Sequence, residues 1–413
     1  MNVDLLGGLR VVESSAFIAA PLAGMTLAQF GADVIRIDMI GGGIDYARLP
    51  VMPHGRSLYW TGLNKGKRSI AVDIRRPEGR ELVRSLVTAP GDKGGVLLTN
   101  IGVPWLSHES LRTLRPDLVS CTIEGNPDGS TAVDYTVNCA TGFPSMTGGG
   151  SSSAPVNHVL PAWDIACAYQ AAFAVAAAAG QRKLTGRGAE LRLALSDVAF
   201  STLSHLGMVA EAELLNQERP SLGNYVYGAF GRDFATADGA RLFVAGISLG
   251  QWKSLVKACK LEEPLARLEK EQSMNFEKEA DRYSARERIA ALVEGWCLHR
   301  TFEQVSETFK SHNVCWGPYQ TVREALARDP RLSEANEIFE QVDTPGVGRH
   351  LAAGTAVRLA GAPRGPNRPA PLLGQDTDEI LMDVLDFDAA AVGRLHDAGI
   401  VAGPERDPLV GAC

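Results

Sequence analysis

The chain has 413 residues, of which 45% are hydrophobic and 22% charged, and this length predicts two or three domains that each bury a core. Lysine and arginine number 41 and aspartate and glutamate 48, which gives a net charge of −7. Duplex-binding proteins normally carry a basic excess, so the composition disfavours a nucleic-acid partner.

Strand-like and helix-like segments alternate through the first half of the chain. Short apolar runs predict strands over residues 9–13, 34–37, 69–73, 95–99 and 118–123. Helical patterns lie over residues 21–30 and 77–88, each with proline in its first turn. Short apolar strands separated by helices predict an α/β fold whose mostly parallel sheet is covered on both faces.

The second half is less regular and points to a smaller domain. The sequence predicts a serine- and glycine-rich loop at 147–153, a helix at 163–179, a strand at 188–195, a helix at 197–215, a strand pair around Gly239, helices near Trp252, Glu287 and Phe302, a proline-rich linker at 367–374 and two short helices within 376–400. We therefore expect a large domain that begins with residues 1–224, a small α+β domain at 225–325, and a linker with a C-terminal segment at 326–413.

The cysteines and histidines do not indicate a disulfide or metal framework. The seven cysteines are odd in number and widely spaced, and no Cys-x-x-Cys occurs, which favours a reducing compartment. None of the eight histidines has metal-ligand spacing to another. No signal peptide is evident, and the most apolar stretch, residues 165–180, is short for a bilayer span. We expect a cytoplasmic protein with neither a metal nor a membrane partner.

Two motifs of common nucleotide-binding enzymes are incomplete or absent. Residues 62–69 resemble a phosphate-binding loop, but the spacing is one residue short and Arg68 stands where serine or threonine should follow the lysine. No Gly-x-Gly-x-x-Gly follows the first strand. The sequence therefore does not support triphosphate hydrolysis or nicotinamide-dependent hydride transfer.

Five cations crowd into twelve residues of this acidic chain. They are Lys65, Lys67, Arg68, Arg75 and Arg76. One interpretation is a solvated face beside a strand. The other is a docking site for a polyphosphate group, because clustered lysine and arginine attract phosphate through charge and bidentate hydrogen bonds.

Asp164 stands at the start of the apolar helix predicted over 163–179. One interpretation is a helix N-cap, a position that aspartate favours. The other is a carboxylate nucleophile. A helix N-terminus carries partial positive charge and backbone N–H groups, which favour an ionised carboxylate and an oxyanion beside it. Such an aspartate could attack an activated acyl group.

A series of motifs extends over nearly the whole chain in one order. They occupy residues 9–13, 28–37, 64–73, 77–82, 184–188, 316–318, 329–330 and 373–381. In this order they resemble the class III CoA transferases, the family that includes formyl-CoA transferase and α-methylacyl-CoA racemase. The resemblance implies that Asp164 is the nucleophile, at a fixed distance before the turn at 185–188. It implies CoA contacts at Ile18, Ala19, Val72, Arg75 and Asn100.

The family resemblance also implies an architecture and an assembly. The large domain is Rossmann-like and built from both chain ends, the smaller domain lies in the middle of the chain, and two chains interlock as a homodimer. The partner molecule is an acyl-CoA, whose CoA moiety belongs to the substrate, so no cofactor is permanently bound. The family's Gly-Gln-His-Thr motif has Asp376 in place of its histidine.

Other stretches resemble one branch of the family more closely. They occupy residues 15–21, 41–46, 133–138, 156–164, 223–234 and 395–404. This similarity implies intramolecular transfer of CoA from C1 to C4 of mesaconyl-CoA (2-methylfumaryl-CoA), a step of the 3-hydroxypropionate bicycle of carbon fixation. Arg48 and His158 are candidates for holding the free carboxylate of this substrate, although each can equally be structural.

We consider three alternative functions. The first is an intermolecular CoA transferase for another dicarboxylic acid, and the second is a non-catalytic acyl-CoA-binding protein. The third is a racemase, but racemases of this family use a histidine just before the aspartate equivalent to Asp134. Val133 occupies that position and cannot act as a base.

Overall fold

A computed structural model describes residues 3–149 and 154–409, and the chain divides into two compact units. The larger unit comprises Met1–Thr141, Val159–Ala210 and Pro330–Cys413, so both chain ends belong to it. The smaller unit comprises Gly142–His158 and Glu211–Asp329. Residues 142–158 and 211–224, which we expected in the first part of the large domain, cluster with the smaller unit.

Strands and helices follow one another in the order that the sequence pattern predicts for the first half. The strands are β1 Arg10–Ser14, β2 Asp33–Asp38, β3 Arg68–Val72, β4 Val96–Thr99, β5 Val119–Glu124, β6 Ala189–Ala194, β7 Phe230–Ala235, β8 Arg241–Gly246, β9 Cys315–Pro318, β10 Phe339–Thr344, β11 Gly348–Ala353 and β12 Val401–Ala402. The helices are α1 Ala19–Gln29, α2 Leu58–Leu63, α3 Pro77–Thr88, α4 His108–Arg112, α5 Asp134–Ala140, α6 Phe143–Met146, α7 Ala162–Thr185, α8 Leu195–His205, α9 Met208–Leu215, α10 Leu249–Cys259, α11 Glu262–Gln272, α12 Glu279–Ser284, α13 Arg286–Leu298, α14 Phe302–Ser311, α15 Val322–Arg328, α16 Thr377–Leu385 and α17 Ala389–Asp397.

The main sheet of the larger unit has seven strands in the order β12-β3-β2-β1-β4-β5-β6. Strands β1 to β6 are parallel, and the short β12 pairs antiparallel with β3. Val12 of β1 lies opposite Ile35 on one side and Leu97 on the other. The order 3-2-1-4-5-6 is that of a Rossmann sheet, with its topological switch point between β1 and β4. The predicted α/β fold is confirmed.

The central strands are apolar because both faces of the sheet are covered. Val11, Val12, Leu97, Leu98 and Val119 are all 2% exposed or less. Helix α3 presents Leu82, Val83, Leu86 and Val87 to the core, at the three- and four-residue spacing of one helix face. Burial on both faces explains why the strands read as apolar runs instead of alternating patterns.

Helix α7 packs against α1 and β5 and ends at a glycine-rich turn. Gly186 follows it with φ 69°, in the left-handed conformation that glycine adopts without strain. A Cβ on Gly188 would lie 2.1 Å from the carbonyl oxygen of Leu118. The turn at 185–188 thus needs glycine for both conformation and close approach.

The length predicted for this apolar segment was wrong. Helix α7 has 24 residues, which by length and composition is enough to cross a membrane. The sequence pattern suggested only residues 163–179, because the polar last turn hides the continuation. One side of the helix is buried in the larger unit, through Cys167, Ala168, Ala171, Ala172, Val175 and Ala179.

The single helix predicted over 197–215 is interrupted. Gly207 has φ 73°, which ends α8 before α9 begins at Met208. Towards the C-terminus, the predicted pair of short helices is confirmed as α16 and α17. Asp376, at the N-cap position of α16, accepts a hydrogen bond from the backbone nitrogen of Ser69 at 2.8 Å. The residue that departs from the family motif therefore fastens α16 to strand β3.

The smaller unit is α+β, as predicted. Strands β7, β8 and β9 form an antiparallel sheet, and α10, α13 and α14 contribute to the core beside it.

The segment 246–250 matches Gly-x-Ser-x-Gly. The Ser248 side chain accepts from the backbone nitrogen of Gln251 and caps α10, so this serine has a structural role.

Candidate functional site

The loop after β1 lies at the switch point and is fixed from two sides. Asn100, which follows β4, accepts from the backbone nitrogen of Ala16 at 2.9 Å and donates to the Ala16 carbonyl at 2.7 Å. The backbone nitrogen of Phe17 donates to Asp45 Oδ2 at 2.8 Å. Phe17 has φ 66°, an uncommon conformation for a bulky residue. Ile18 then occupies the N-cap position of α1, without a side-chain capping bond, and the helix begins at Ala19.

A buried ion network contacts this loop and holds its backbone in place. Lys67 Nζ lies 2.8 Å from Glu13 Oε1, and Arg36 lies 3.1 Å from the same carboxylate oxygen. Arg36 also donates to the Ser15 carbonyl at 3.0 Å and lies 3.8 Å from Asp45. Burial lowers the pKa of Lys67 to about 8, against the opposing effect of Glu13. Such a network is strongly destabilised when one partner is removed, which suits a fixed scaffold.

Asp164 is the third residue of α7, so its interpretation as the N-cap was wrong. The capping carboxylate comes from another helix. Asp134, the buried first residue of α5, accepts hydrogen bonds through Oδ2 from the backbone nitrogens of Trp163 at 2.7 Å and Asp164 at 3.1 Å. Trp163 also donates through Nε1 to Asn138 Oδ1 at 3.0 Å. Helix α5 thereby positions the start of α7.

The predicted oxyanion site at the N-terminus of α7 is not available. The first four N–H groups of the helix already have acceptors. Ala162 donates to the Leu160 carbonyl, Ile165 donates to the Pro161 carbonyl, and the two residues between them donate to Asp134. Negative charge that develops beside Asp164 must therefore be stabilised by other groups.

The Asp164 carboxyl is half-buried and carries an unusual pKa. Burial, together with the charge of Asp134, raises the pKa of Asp164 to about 7. Across residues 3–149 and 154–409, no cation pairs with its side chain. A carboxylate in this environment is poorly solvated and poorly neutralised, which increases its reactivity toward an acyl carbon.

Tyr59 and Arg48 lie at the same site. The charge of Asp164 acts on Tyr59, and burial raises the pKa of the Tyr59 hydroxyl to about 12. This hydroxyl is buried and has no hydrogen-bond partner in the described part of the chain. The exposed Arg48 places its guanidinium 5.2 Å from the Tyr59 ring centroid and 5.5 Å from that of Phe17. The site thus combines a carboxylate, a buried hydroxyl donor and an exposed cation.

The residues predicted to contact CoA lie at or after the carboxyl ends of strands β1, β3 and β4, with β2 between β3 and β1 in the sheet. Ile18 and Ala19 follow β1, Val72 ends β3, and Asn100 follows β4. Val72 as a whole residue is 0% exposed, so in the single chain it offers no accessible surface to a ligand. Arg75 follows β3 with its side chain 73% exposed and a two-point hydrogen bond to Asp73. Ligands of open α/β sheets bind at this edge.

The cluster of five cations is not one surface. Lys67 is buried in the ion network, while Lys65 precedes β3 and Arg68 begins it. Arg75 and Arg76 follow the end of β3, about 15 Å further along the strand direction. The prediction of a single polyphosphate patch was therefore wrong, because the five cations lie at opposite ends of β3. Only Arg75 and Arg76 lie at the same end of the sheet as Asn100.

The two candidates for holding a second carboxylate belong to different units. Arg48 belongs to the larger unit and His158 to the smaller one. His158 is half-buried, and its backbone nitrogen donates to the Asn157 side chain at 2.9 Å. Within residues 3–149 and 154–409, no group of three or more histidine, cysteine or acidic side chains is arranged to hold a metal ion.

A Rossmann-like sheet with a half-buried, poorly neutralised carboxylate fits an acyl-transfer enzyme, and comparison with known proteins gives the family. A family model described as CoA-transferase family III matches residues 6–377, and the chain belongs to this family. It is therefore an enzyme that acts on acyl-CoA. The 2-methylfumaryl-CoA isomerase of Chloroflexus aurantiacus is 51% identical over 404 residues, which cover 97% of this chain and 99% of that protein.

More distant relatives in sequence and in structure also match nearly the whole chain. A formyl-CoA:oxalate CoA-transferase of Rhodopseudomonas palustris is 29% identical, with 97% of this chain and 98% of that protein covered. The crystal structure of a CaiB/BaiF family protein from Brucella suis superposes with a TM-score of 0.75 at 25% identity, over 92% of this chain and 100% of that one. A Mycobacterium tuberculosis structure, 20% identical with a TM-score of 0.72, shares the fold.

Proposed function

We propose that the enzyme moves CoA within one molecule, converting 2-methylfumaryl-CoA (mesaconyl-C1-CoA) to 3-methylfumaryl-CoA (mesaconyl-C4-CoA). The observation that carries the proposal is the half-buried Asp164 carboxylate, held at the start of α7 by Asp134 and unpaired with any cation in the described residues. The 51% identity to the Chloroflexus isomerase over nearly the full length of both chains supports the substrate.

The proposed reaction begins with two acyl transfers. Asp164 attacks the C1 thioester carbonyl, the C–S bond breaks, and a mixed anhydride and CoA thiolate form. The thiolate then attacks the aspartyl carbonyl of the anhydride. This step releases mesaconate as a dianion and leaves an aspartyl-CoA thioester.

The same two steps then run in reverse on the other carboxylate. Mesaconate turns in the site, and its C4 carboxylate attacks the aspartyl thioester to give a new anhydride and thiolate. The thiolate attacks the C4 carbonyl, which forms the product and restores the Asp164 carboxylate. No step is a net oxidation or reduction, and the acyl transfers use only the Asp164 carboxylate and the CoA of the substrate. The proposed reaction therefore requires no bound cofactor. CoA enters and leaves as part of the substrate.

Other residues of the site take supporting roles in this proposal. The buried Tyr59 hydroxyl has no partner in the described residues, so it is placed to donate to an oxygen that becomes negative during the acyl transfers. Arg48 and His158 are the candidates for binding the free carboxylate. Ile18, Ala19, Val72, Arg75 and Asn100 are the proposed CoA contacts.

The direct test is conversion without an acceptor acid. Purified enzyme is incubated with 2-methylfumaryl-CoA alone, and the products are separated by chromatography. Accumulation of 3-methylfumaryl-CoA supports the proposal. If the ester changes only when a second carboxylic acid is added, the enzyme is instead an intermolecular CoA transferase. The identity to formyl-CoA:oxalate CoA-transferases keeps this alternative in view.

We further propose a cytoplasmic homodimer that binds neither membranes nor nucleic acid. Support comes from apolar side chains left exposed in the single chain, among them Tyr169, Phe173 and Leu184 on α7 and Val159 just before it, with exposures of 55%, 75%, 84% and 93%. If the chains interlock, two folded preparations with different tags yield no hybrid dimers on mixing under native conditions. Rapid formation of hybrids contradicts interlocking.

A further inference from the structure

A cavity opens at the amino ends of the strands of the main sheet, on the opposite side from Asn100, which lies at their carboxyl ends. Its volume is about 350 Å³, and it lies where β1, β2 and β3 begin. Arg10, Asp33 and Arg68, the first residues of these three strands, line the cavity. Lys65 and Arg368 line it as well. The cavity belongs to the larger unit and shares no residue with the site around Asp164.

Two of the four cations in this cavity are already neutralised. Arg10 lies 3.2 Å from Asp33, and Arg68 lies 2.7 Å from the same carboxylate. Arg68 also lies 3.3 Å from Glu379 and 3.9 Å from Asp383, and both of these acids line the cavity. With three carboxylates around two guanidinium groups, this wall of the cavity carries no net positive charge.

The other two cations have no acidic partner in the described residues. Lys65 is half-buried, and its Nζ donates to the carbonyl of Ala353 at 2.8 Å. Burial lowers the pKa of Lys65, and no nearby acid opposes the effect. Arg368 stands beside it, because the backbone nitrogen of Gly66 donates to the Pro369 carbonyl at 2.9 Å. Arg368 is exposed, so only the half-buried Lys65 incurs a desolvation cost that an anion would offset, while Arg368 adds a second positive charge beside it.

We propose that this cavity binds a small anion with carboxylate or phosphate groups, held by Lys65 and Arg368. Lysine supplies a compact charge, and the arginine fork can hold two oxygens of one carboxylate or phosphate group. The volume is at the lower end of small-molecule sites, which suits inorganic phosphate or a short dicarboxylate. The proposal does not depend on the substrate of the enzyme.

Calorimetric titration of the full-length enzyme tests this assignment. Saturating CoA is present throughout, so that its phosphate contacts are occupied, and 0.15 M NaCl screens exposed charges. Inorganic phosphate and succinate are titrated separately, which distinguishes the two sources of anion. We expect one site per chain for at least one of them.

Variants show whether the site is the one proposed. Lys65→Met and Arg368→Gln should each weaken binding about tenfold or more, since each removes a charge-assisted hydrogen bond. Lys65→Arg keeps a cation and should retain binding, which separates loss of charge from loss of fold. Arg323→Gln, an exposed arginine of the smaller unit, is the matched control and should bind as the wild type. If neither anion binds the wild type, or if Lys65→Met binds equally well, the proposal is overturned.

Discussion

The Asp134 carboxylate holds the backbone of Asp164 at 3.1 Å, and its charge also acts on the Asp164 side chain. One residue of α5 thus positions the proposed nucleophile and also adds, after burial, to the rise in its pKa. Because Asp134 uses the N–H groups at the start of α7, the positive end of this helix is neutralised. Burial then dominates and moves the pKa of Asp164 toward neutrality.

The first prediction concerns pH. Asp164 must be ionised to attack, so kcat/KM should fall as the pH drops through about 7. Asp134→Asn retains an oxygen that can accept the backbone hydrogen bonds but removes a like charge. The pKa of Asp164 should decrease, and the acidic limb of the kcat/KM profile should move to lower pH. A limb that stays in place or moves upward contradicts electrostatic coupling between the two carboxyls.

The second prediction concerns Asp164→Asn. We expect kcat to fall by roughly three orders of magnitude or more, because the amide cannot form the acyl intermediates. The pKa of Asp164 is higher in the folded protein than in the unfolded chain. Ionisation of Asp164 therefore opposes folding once the pH exceeds the pKa that this residue has in the unfolded chain. The variant should therefore be more stable at pH 8, by about 1–2 kcal/mol after allowance for partial solvent exposure.

Asp197 provides a matched control for this substitution. It is also the third residue of a helix, α8, and its side chain is exposed. Asp197→Asn should leave turnover near the wild-type rate. Thermal unfolding and CoA binding are measured on both variants, and mass spectrometry excludes deamidated protein. Near-normal turnover of Asp164→Asn would remove this residue from the mechanism.

The third prediction concerns Tyr59→Phe. The Tyr59 hydroxyl is buried without a partner in the described residues, so its removal should leave the melting temperature unchanged or raise it. Loss of a donor to a developing negative charge should lower kcat by about 10- to 1,000-fold. Tyr319→Phe, which alters an exposed tyrosine of the smaller unit, is the control. Unchanged kcat with Tyr59→Phe would show that this hydroxyl does not face the reacting atoms.

The fourth prediction concerns Arg75. Its exposed guanidinium lies at the carboxyl edge of the sheet, beside Val72. Arg75→Gln should raise KM for CoA esters more than it lowers kcat, because phosphate contacts persist through the reaction. The difference should shrink as salt rises. Arg192→Gln, which breaks a similarly exposed ion pair with Glu124, should change neither constant. A fall in kcat alone, independent of salt, argues against docking at Arg75.

The strands and helices of the first half, and hence a mostly parallel sheet, could be predicted because their signals are local. Apolar runs, prolines in first turns and glycines after helices are properties of neighbouring residues. The position of Asp164 at the start of α7 follows from the same signals. Helix α7 was underestimated in length because its last turn is polar, and the break at Gly207 was overlooked because a lone glycine is tolerated within helices.

The composition of the site could not be predicted from local patterns. Asp134 caps a helix that begins 28 residues later, and Tyr59 approaches Asp164 from another helix. The cations at 65–76 are neighbours in sequence, but strand β3 separates them and burial takes Lys67 into an ion network. Only the tertiary fold decides which of these side chains meet a ligand.

Isotope labelling tests intramolecular transfer most directly. The enzyme is given unlabelled 2-methylfumaryl-CoA together with a large excess of ¹³C-labelled free mesaconate, and the 3-methylfumaryl-CoA formed is analysed by mass spectrometry. If the dianion released within the site is the one that returns to the aspartyl thioester, the product carries almost no label. Product labelled in proportion to the free pool contradicts the proposal and defines an intermolecular transferase.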